Sequence, residues 1–324
     1  MFERLRRPRR APKALACYGK LPLYAEFLRF GIDSPETNWL VEWIDQAHHI
    51  MAEGETPAVT GRRLEALLTF AGGRTVLAAA IRPSVDAKGR VYPICIWATL
   101  DGRSFEARCH LAPLRLAPVW DAIGAVLDAG VDSREELAQR LAATATDPEE
   151  IGATEQRFSE ATAAVINQPW SALTGTSDST QVACDGRRFI QLAEAQAEAR
   201  EGHGPAVRFP ITHITTAGGE LSPPIVSAAW LCLLSAASGC TRPWPAMIHV
   251  GDADKAADGA VYIFGRQPTA DDLAHLLSGA GDVPIEDLSE PWDDEPTSQR
   301  GQRTLERLLD PATVRLADLW GAGE

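Results

Sequence analysis

Two apolar runs joined by a short turn constrain the fold of this chain more than any other part of its sequence. Residues 75–81 read TVLAAAI and residues 91–100 read VYPICIWATL, and apolar runs of this length bounded by turn residues are typical of buried strands. The segment between them includes Gly89, which can adopt a positive φ in a tight turn. The pattern therefore predicts a hairpin of two buried strands, with Pro93 at a strand start, at an edge or at a bulge.

The rest of the chain alternates between helical and strand-like patterns. After the pair Ser34-Pro35, which is suited to begin a helix, apolar residues recur every three or four positions as far as Met51. We predict a second, short helix around residues 62–70. By the same criteria we predict further helices over 117–129, 133–145, 148–166, 223–238 and 270–277, and strands over 207–213, 246–250 and 260–265.

These elements predict an α+β fold, with a mixed, largely antiparallel sheet flanked by helices and a helical insertion at residues 117–180. We expect one domain over residues 14–280. Residues 1–13 carry five Arg, one Lys and one Glu, and we expect them to form a basic disordered arm. Residues 281–324 are expected to form an acidic linker and short C-terminal helices, because residues 282–295 contain seven acidic residues and no basic one.

The charge and the cysteines exclude several classes of protein. The net charge is −13, which disfavours contact with a phosphate backbone, so we expect no nucleic-acid partner. No apolar run of the sequence predicts stable membrane insertion, and the basic leader lacks the apolar run of a signal peptide. The six cysteines include no CxxC pair, which favours a reducing cytoplasm over a disulfide framework and predicts no zinc site.

The sequence carries charged turn residues but no familiar catalytic motif. It contains no phosphate-loop, dinucleotide-binding, zinc-protease or serine-hydrolase signature, so we expect no catalytic residue, no metal and no cofactor. The strongest polar candidates occupy two turns, with Lys20 and Glu26 in the first and Asp86 and Arg90 in the second. If both turns lie at one end of the sheet, the four residues can form an ion-pair cluster. Such a cluster either pins the turns together or belongs to a docking or ligand site.

Two segments resemble the signatures of one family. YGKLPLYAEF, residues 18–27, is similar to the motif Y-G-K-L-P-x-x-G-D-F of the type VI secretion-associated family TagF, also called ImpM, but has Ala25-Glu26 where the family usually has Gly-Asp. PSVDAKGRVYP, residues 83–93, is similar to the family's segment P-S-x-D-x-x-G-R-x-(F/Y)-P. The resemblance covers about residues 16–280. It marks a set of partner-binding or structural residues: Gly19, Lys20, Pro22, Glu26, Phe27, Ser84, Asp86, Gly89 and Arg90.

The resemblance implies a non-enzymatic accessory protein of a bacterial type VI secretion system. Members of the family act in the cytoplasm as post-translational regulators, generally repressors, of apparatus assembly. Their implied partners are type VI secretion components, among them the forkhead-associated scaffold protein. Two alternatives stay open: a structural subunit of the apparatus, or a hydrolase-type enzyme of unrecognised class that uses one of His110, His213 and His249.

Overall fold

The computed structural model of the chain describes residues 14–53, 62–70, 74–106, 111–144, 173, 188–193, 206–211, 215–216, 219–220, 223–238, 244–252, 259–278 and 285–287. Within them, the strands are β1 (Ala16–Gly19), β2 (Leu28–Phe30), β3 (Arg62–Thr69), β4 (Thr75–Arg82), β5 (Ile94–Asp101), β6 (Ala206–Ile211), β7 (Thr215–Thr216), β8 (Gly219–Glu220), β9 (Ala246–Asp252), β10 (Gly259–Phe264) and β11 (Ile285–Asp287). The helices are α1 (Pro35–Glu53), α2 (Arg103–Glu106), α3 (Ala112–Asp128), α4 (Arg134–Ala143), α5 (Pro223–Ser238) and α6 (Ala270–Ser278). In this described part of the chain, no helix is both long enough and apolar enough to cross a membrane.

Nine of these strands form one sheet, in the order β11-β6-β10-β9-β3-β4-β5-β1-β2, and β7 pairs with β8 separately. Every neighbouring pair in the large sheet is antiparallel except β11 and β6, which run parallel. The predicted α+β fold with a mixed, largely antiparallel sheet is therefore confirmed. The predicted hairpin is β4–β5, in which Ala79 lies opposite Trp97, so that a small residue leaves room for a large one on the same face.

Helices cover both faces of the sheet. On one face, α1 and α6 share a buried apolar cluster with Ala79 and its alternate neighbours in β4. On the other face, α3 and α5 share a cluster with Ala80 and the intervening residues of β4. Successive side chains of a strand point to opposite faces, so a strand between two helical layers must be apolar at every position. The uninterrupted run TVLAAAI meets that requirement.

The structure contradicts the helix predicted around residues 62–70, because Arg62–Thr69 is strand β3. Its sequence, RRLEALLT, is rich in residues with high helix propensity. The segment nevertheless pairs with β4 along one edge and with β9 along the other. Leu64 is buried against α1 and α6, while Leu67 is buried on the opposite face. Pairing on both edges and burial on both faces outweigh the local helical preference.

Other element boundaries differ from the predictions in smaller ways. Helix α3 begins at Ala112 and contains Pro118, which the sequence placed near the helix start. The three residues of β11 lie within the segment for which the sequence predicted a linker, and they add an edge strand beside β6. The predicted helix over 133–145 is α4, and Ser133 is its N-cap, since the Ser133 hydroxyl accepts the backbone N–H of Glu136 at 3.0 Å. The helix predicted over 148–166 and His213 lie outside the described residues.

Candidate functional site

Two loops meet at one end of the sheet. Residues 20–27 connect β1 to β2, and residues 83–93 connect β4 to β5. Because β1 pairs antiparallel with β5, both loops leave the sheet at the same end. The backbone N–H of Ala87 donates to the carbonyl of Tyr24 at 3.1 Å, so the loops are in direct contact. We call these two loops together the loop end.

Two glycines allow the loops to take these paths. Gly19 has a φ of +132°, and a Cβ at this position would lie 2.8 Å from the Cα of Ile94 and closer still to the carbonyl oxygen of Pro93. The neighbouring backbone therefore leaves no space for a side chain at position 19. Gly89 has a φ of +75° in open space, and its N–H donates to the carbonyl of Asp86 at 2.9 Å to close the second turn. Position 19 thus requires glycine because a side chain has no space there, whereas position 89 favours glycine because of its positive φ alone.

The carboxylate of Asp86 holds the loop end together. Its Oδ2 accepts the Lys20 ammonium at 2.9 Å and Nε of Arg90 at 2.6 Å. Its Oδ1 accepts the backbone N–H groups of Lys88 at 2.8 Å and of Arg90 at 2.9 Å. Nη2 of Arg90 also donates to the carbonyl of Ala25 at 2.8 Å, which ties the second loop to the first. The side chains of Lys20 and Asp86 are only 7% and 0% exposed, so the ion pair is interior.

The surroundings of Asp86 keep it ionised. Burial acts to raise the pKa of this carboxyl, but hydrogen bonds from the backbone N–H groups of Arg90 and Lys88 and from the Lys20 and Arg90 side chains lower it by more. The net result is a pKa well below the ordinary value. Glu26, the fourth candidate, is exposed and forms no salt bridge with any residue that the structure describes. The structure therefore brings three of the four charged candidates together, and Glu26 is not among them.

A group of aromatic rings lies beside the ion pair and was not expected from the sequence. Phe27 stacks on Tyr18 with ring centroids 5.6 Å apart and meets the edge of Tyr92 at 4.8 Å. The hydroxyl of Tyr18 donates to Oδ1 of Asp45 in α1 at 2.7 Å, and the hydroxyl of Tyr92 donates to the same oxygen. The ring of His48 packs 4.5 Å from that of Tyr92. Both tyrosines belong to the motif segments, whereas no local pattern marks Asp45 as their partner.

The titrating rings of this group stay neutral near pH 7. Burial and the hydrogen bond to Asp45 raise the pKa of Tyr18 to about 12. The same two causes raise the pKa of Tyr92 above its ordinary range. Burial lowers the pKa of His48 despite the nearby carboxylate. These rings therefore pack the loop end against α1 in their neutral forms.

The outer side of the loop end carries exposed apolar side chains. The exposed large apolar side chains among the described residues are Leu23 (48% exposed), Phe27 (38%) and Val91 (37%), and all three belong to these loops. Pro22, another motif residue, is exposed beside Leu23. Ser84 contributes through its backbone, because its carbonyl accepts the N–H of Tyr92 at 2.9 Å. The motif residues thus divide into an interior set that fixes the loops and an outer set that is exposed.

A second polar cluster lies on the sheet face beneath α3. Nδ1 of His249 contacts Oε2 of Glu65 at 3.3 Å, and Arg63 pairs with Glu65 at 3.0 Å and donates to the carbonyl of Trp120. In the part of the chain that the structure describes, no serine, threonine or cysteine hydrogen-bonds to His249, and no group of His, Cys, Asp and Glu is arranged to hold a metal ion. His110 and His213 lie outside that part. The contacts of His249 are those of a polar cluster that joins β9 and β3.

At Ala25, the chain departs from the family motif without strain. No described residue other than glycine has a positive φ. The first loop therefore passes through Ala25 in a conformation that any residue can adopt, and the glycine usual in the family is not required there.

Comparison with known protein families finds a match over residues 16–146, to the TagF N-terminal domain, described as type VI secretion system-associated. Comparison with curated proteins finds no match. Among solved structures, the crystal structure of PA0076 from Pseudomonas aeruginosa PAO1 is similar at 14% sequence identity and a TM-score of 0.43, over 87% of this chain and 99% of that one. The family match contains the whole loop end and both motif segments. Residues 16–146 of this chain therefore match the TagF N-terminal domain, which is described as type VI secretion system-associated, and the assignment of the chain to the TagF family rests on that match.

Proposed function

We propose that this chain is a non-enzymatic accessory protein of a bacterial type VI secretion system that acts in the cytoplasm by binding other proteins of the system. By that binding it represses assembly of the apparatus, and its partners include the forkhead-associated scaffold protein. The family match over residues 16–146 supports the association with type VI secretion. The resemblance of the two motif segments to TagF supports the regulatory role.

The observation that carries the binding function is the position of the exposed apolar side chains. Leu23, Phe27 and Val91 lie on two loops that touch each other, at one end of the sheet. Exposed apolar groups that are grouped in this way are typical of surfaces that bind other proteins. An aromatic ring such as Phe27 is a common anchor of such surfaces, because it buries a large area at a low cost in side-chain entropy.

The interior of the loop end favours binding by keeping this surface in one conformation. Loops normally lose conformational entropy when they become ordered on a partner. Here the Asp86 carboxylate, the Lys20 ammonium and the aromatic ring of Phe27 already order both loops within the folded chain, with the ammonium 4.7 Å from the centre of that ring. The surface is thus prepared for a partner before the partner arrives.

Co-purification from the native host tests the proposal. The tagged full chain is expected to recover identified type VI components, and the variant with Leu23→Ser and Val91→Ser is expected to recover at least about tenfold less, since a few central apolar contacts dominate such interfaces. Leu23→Met keeps the surface apolar and is the matched control. Overproduction of the chain should lower secretion by the apparatus, whereas overproduction of the double variant should not.

Three results would count against the proposal. Recovery of no type VI component under both inducing and repressing conditions would contradict the binding function. Equal recovery by the double variant and the Leu23→Met control would remove the loop end from the interface. Stable, stoichiometric incorporation of the chain into the assembled apparatus would identify a structural subunit and not a regulator.

A further inference from the structure

The charge of the loop end is opposite to that of the chain as a whole. Its residues, 20–27 and 83–93, carry three basic and two acidic residues, and Arg29 lies beside them in β2, although the net charge of the whole chain is −13. One basic residue, Lys20, is interior and is neutralised by Asp86. The exposed surface around Leu23 and Val91 therefore combines apolar groups with more basic than acidic groups, the one exposed acidic residue of the two loops being Glu26.

Three basic groups remain accessible on that surface. Lys88 is exposed at the tip of the second turn, where only its backbone N–H is used by Asp86. Arg29 is exposed in β2, with its guanidinium 5.4 Å from the centre of the Tyr18 ring. The side chain of Arg90 is 54% exposed although it also contacts Asp86. An acidic ligand therefore meets several cations close to the apolar side chains.

We infer that the loop end binds an acidic segment of another protein, one that also carries at least one large apolar side chain. This inference rests on the proposed function and specifies the partner for the same surface. Carboxylates of the segment lie near Lys88 and Arg29, while its apolar side chain packs against Leu23, Phe27 and Val91. The cations increase the rate of association and exclude basic segments, and the apolar contacts supply most of the affinity.

The chain contains an acidic segment of its own, residues 282–295, and within it β11 pairs with β6. In the strand order, β11 lies five positions from β4, whose end carries the second loop, and five spacings between strands are about 24 Å. The inference assigns the loop end to an acidic segment of a different molecule, and a full-length variant with Glu290, Asp293, Asp294 and Glu295 replaced by Gln and Asn tests the alternative. Tighter peptide binding by that variant than by the natural chain would identify the chain's own segment as the occupant and would overturn the inference.

Peptide binding to the full-length chain tests the inference. The probes are overlapping synthetic peptides that cover the type VI proteins encoded beside this chain, with binding followed by fluorescence anisotropy. Each peptide that binds is remade in two forms, one with its Asp and Glu replaced by Asn and Gln, the other with its large apolar residues replaced by Ser. Because residues 1–13 are basic and can attract acidic peptides themselves, each peptide is compared between the natural chain and its variants.

Two variants and one control isolate the contribution of the loop end. Lys88→Glu is expected to weaken binding about tenfold at low salt and less at higher salt, since exposed charges are screened. Leu23→Ser is expected to weaken binding about tenfold at both salt concentrations. Arg74→Glu is the matched control, because Arg74 is exposed at the opposite end of β4 and makes the same change in net charge. It should leave binding unchanged.

The outcomes separate this inference from the function on which it rests. Two results would contradict the acidic segment and leave the binding function intact. In the first, peptides with Asn and Gln in place of Asp and Glu bind as tightly as the original peptides. In the second, Lys88→Glu leaves peptide binding unchanged while Leu23→Ser weakens it. Binding by no peptide, together with recovery of no type VI component, would overturn both. Concentration-dependent self-association that Leu23→Ser abolishes, measured by sedimentation, would identify a second copy of this chain as the occupant and would also overturn the inference.

Discussion

Replacing Gly19 by alanine should destabilise the chain much more than the same change at Gly89. Both glycines have a positive φ, of +132° and +75°, but only the first lacks space for a side chain. At Gly19 the added Cβ would meet the backbone of Pro93 and Ile94, where the second loop joins β5. Backbone atoms at this junction cannot rotate away as a side chain can. At Gly89 no atom lies within 4 Å of the added Cβ.

The expected magnitudes follow from these two situations. Strain from an unfavourable backbone conformation costs about 1–3 kcal/mol, and overpacking costs about another 1–3 kcal/mol. The free energy of unfolding of Gly19→Ala should therefore fall by about 4 kcal/mol, a large part of the roughly 5–15 kcal/mol typical of folded domains. The free energy of unfolding of Gly89→Ala should fall by only about 1 kcal/mol, because the positive φ is unfavourable for alanine but the added Cβ meets no other atom.

Equilibrium unfolding in urea, followed by tryptophan fluorescence, measures this difference. With an m-value of about 3 kcal/mol per molar, the midpoint of Gly19→Ala should lie about 1 M below that of Gly89→Ala. Equal midpoints for the two variants would refute the reasoning, because they would show that the close approach of the first loop to β5 makes no contribution. A change in m-value without a change in midpoint would instead indicate an altered unfolded state.

Three further perturbations test the interior contacts. Because the pKa of Asp86 lies below its ordinary value of 3.8, its stabilising effect is present above that pH and is lost as the pH falls through the folded pKa. Lys20→Met should therefore lose less stability between neutral and acid pH than the natural chain, and parallel curves of urea midpoint against pH would argue otherwise. Ser133→Ala should cost about 1 kcal/mol by removing the N-cap of α4, whereas Ser133→Asp should be nearly neutral in the same assay. Trp43→Phe removes the indole hydrogen bond of 2.7 Å to the carbonyl of Thr269 between α1 and α6, and should cost about 1–2 kcal/mol in urea unfolding; no loss would show that this bond contributes nothing.

Local pattern was enough to predict those parts of the candidate site that lie within one turn. The spacing of Asp86, Gly89 and Arg90 indicated a tight charged turn, and the structure shows that turn closed by hydrogen bonds to the Asp86 carboxylate. The pairing of this turn with Lys20 was conditional on where the two loops lie, which a single sequence does not reveal. The exposure of Glu26 outside the cluster depends on the same long-range geometry.

The partners of the aromatic rings were beyond any local pattern. Tyr18 and Tyr92 lie in separate motif segments, and both donate to Asp45 in a helix that lies between those segments in sequence. Periodicity marks which face of α1 is apolar but not which polar residue meets a distant hydroxyl. The sequence likewise did not predict that Phe27 is exposed, since an aromatic residue in a loop is equally compatible with burial and with contact to a partner.

The sequence alone determined the hairpin of β4 and β5, the amphipathic helices and the α+β class, because alternation, helical spacing and turn glycines act over a few neighbouring residues. Tertiary structure decided that Arg62–Thr69 is a strand and that Ile285–Asp287 joins the sheet. It also decided that the apolar and basic groups of two remote loops share one surface. These features depend on hydrogen bonds and burial between segments far apart in the chain, and such contacts outweigh local preference only once the fold has brought the segments together.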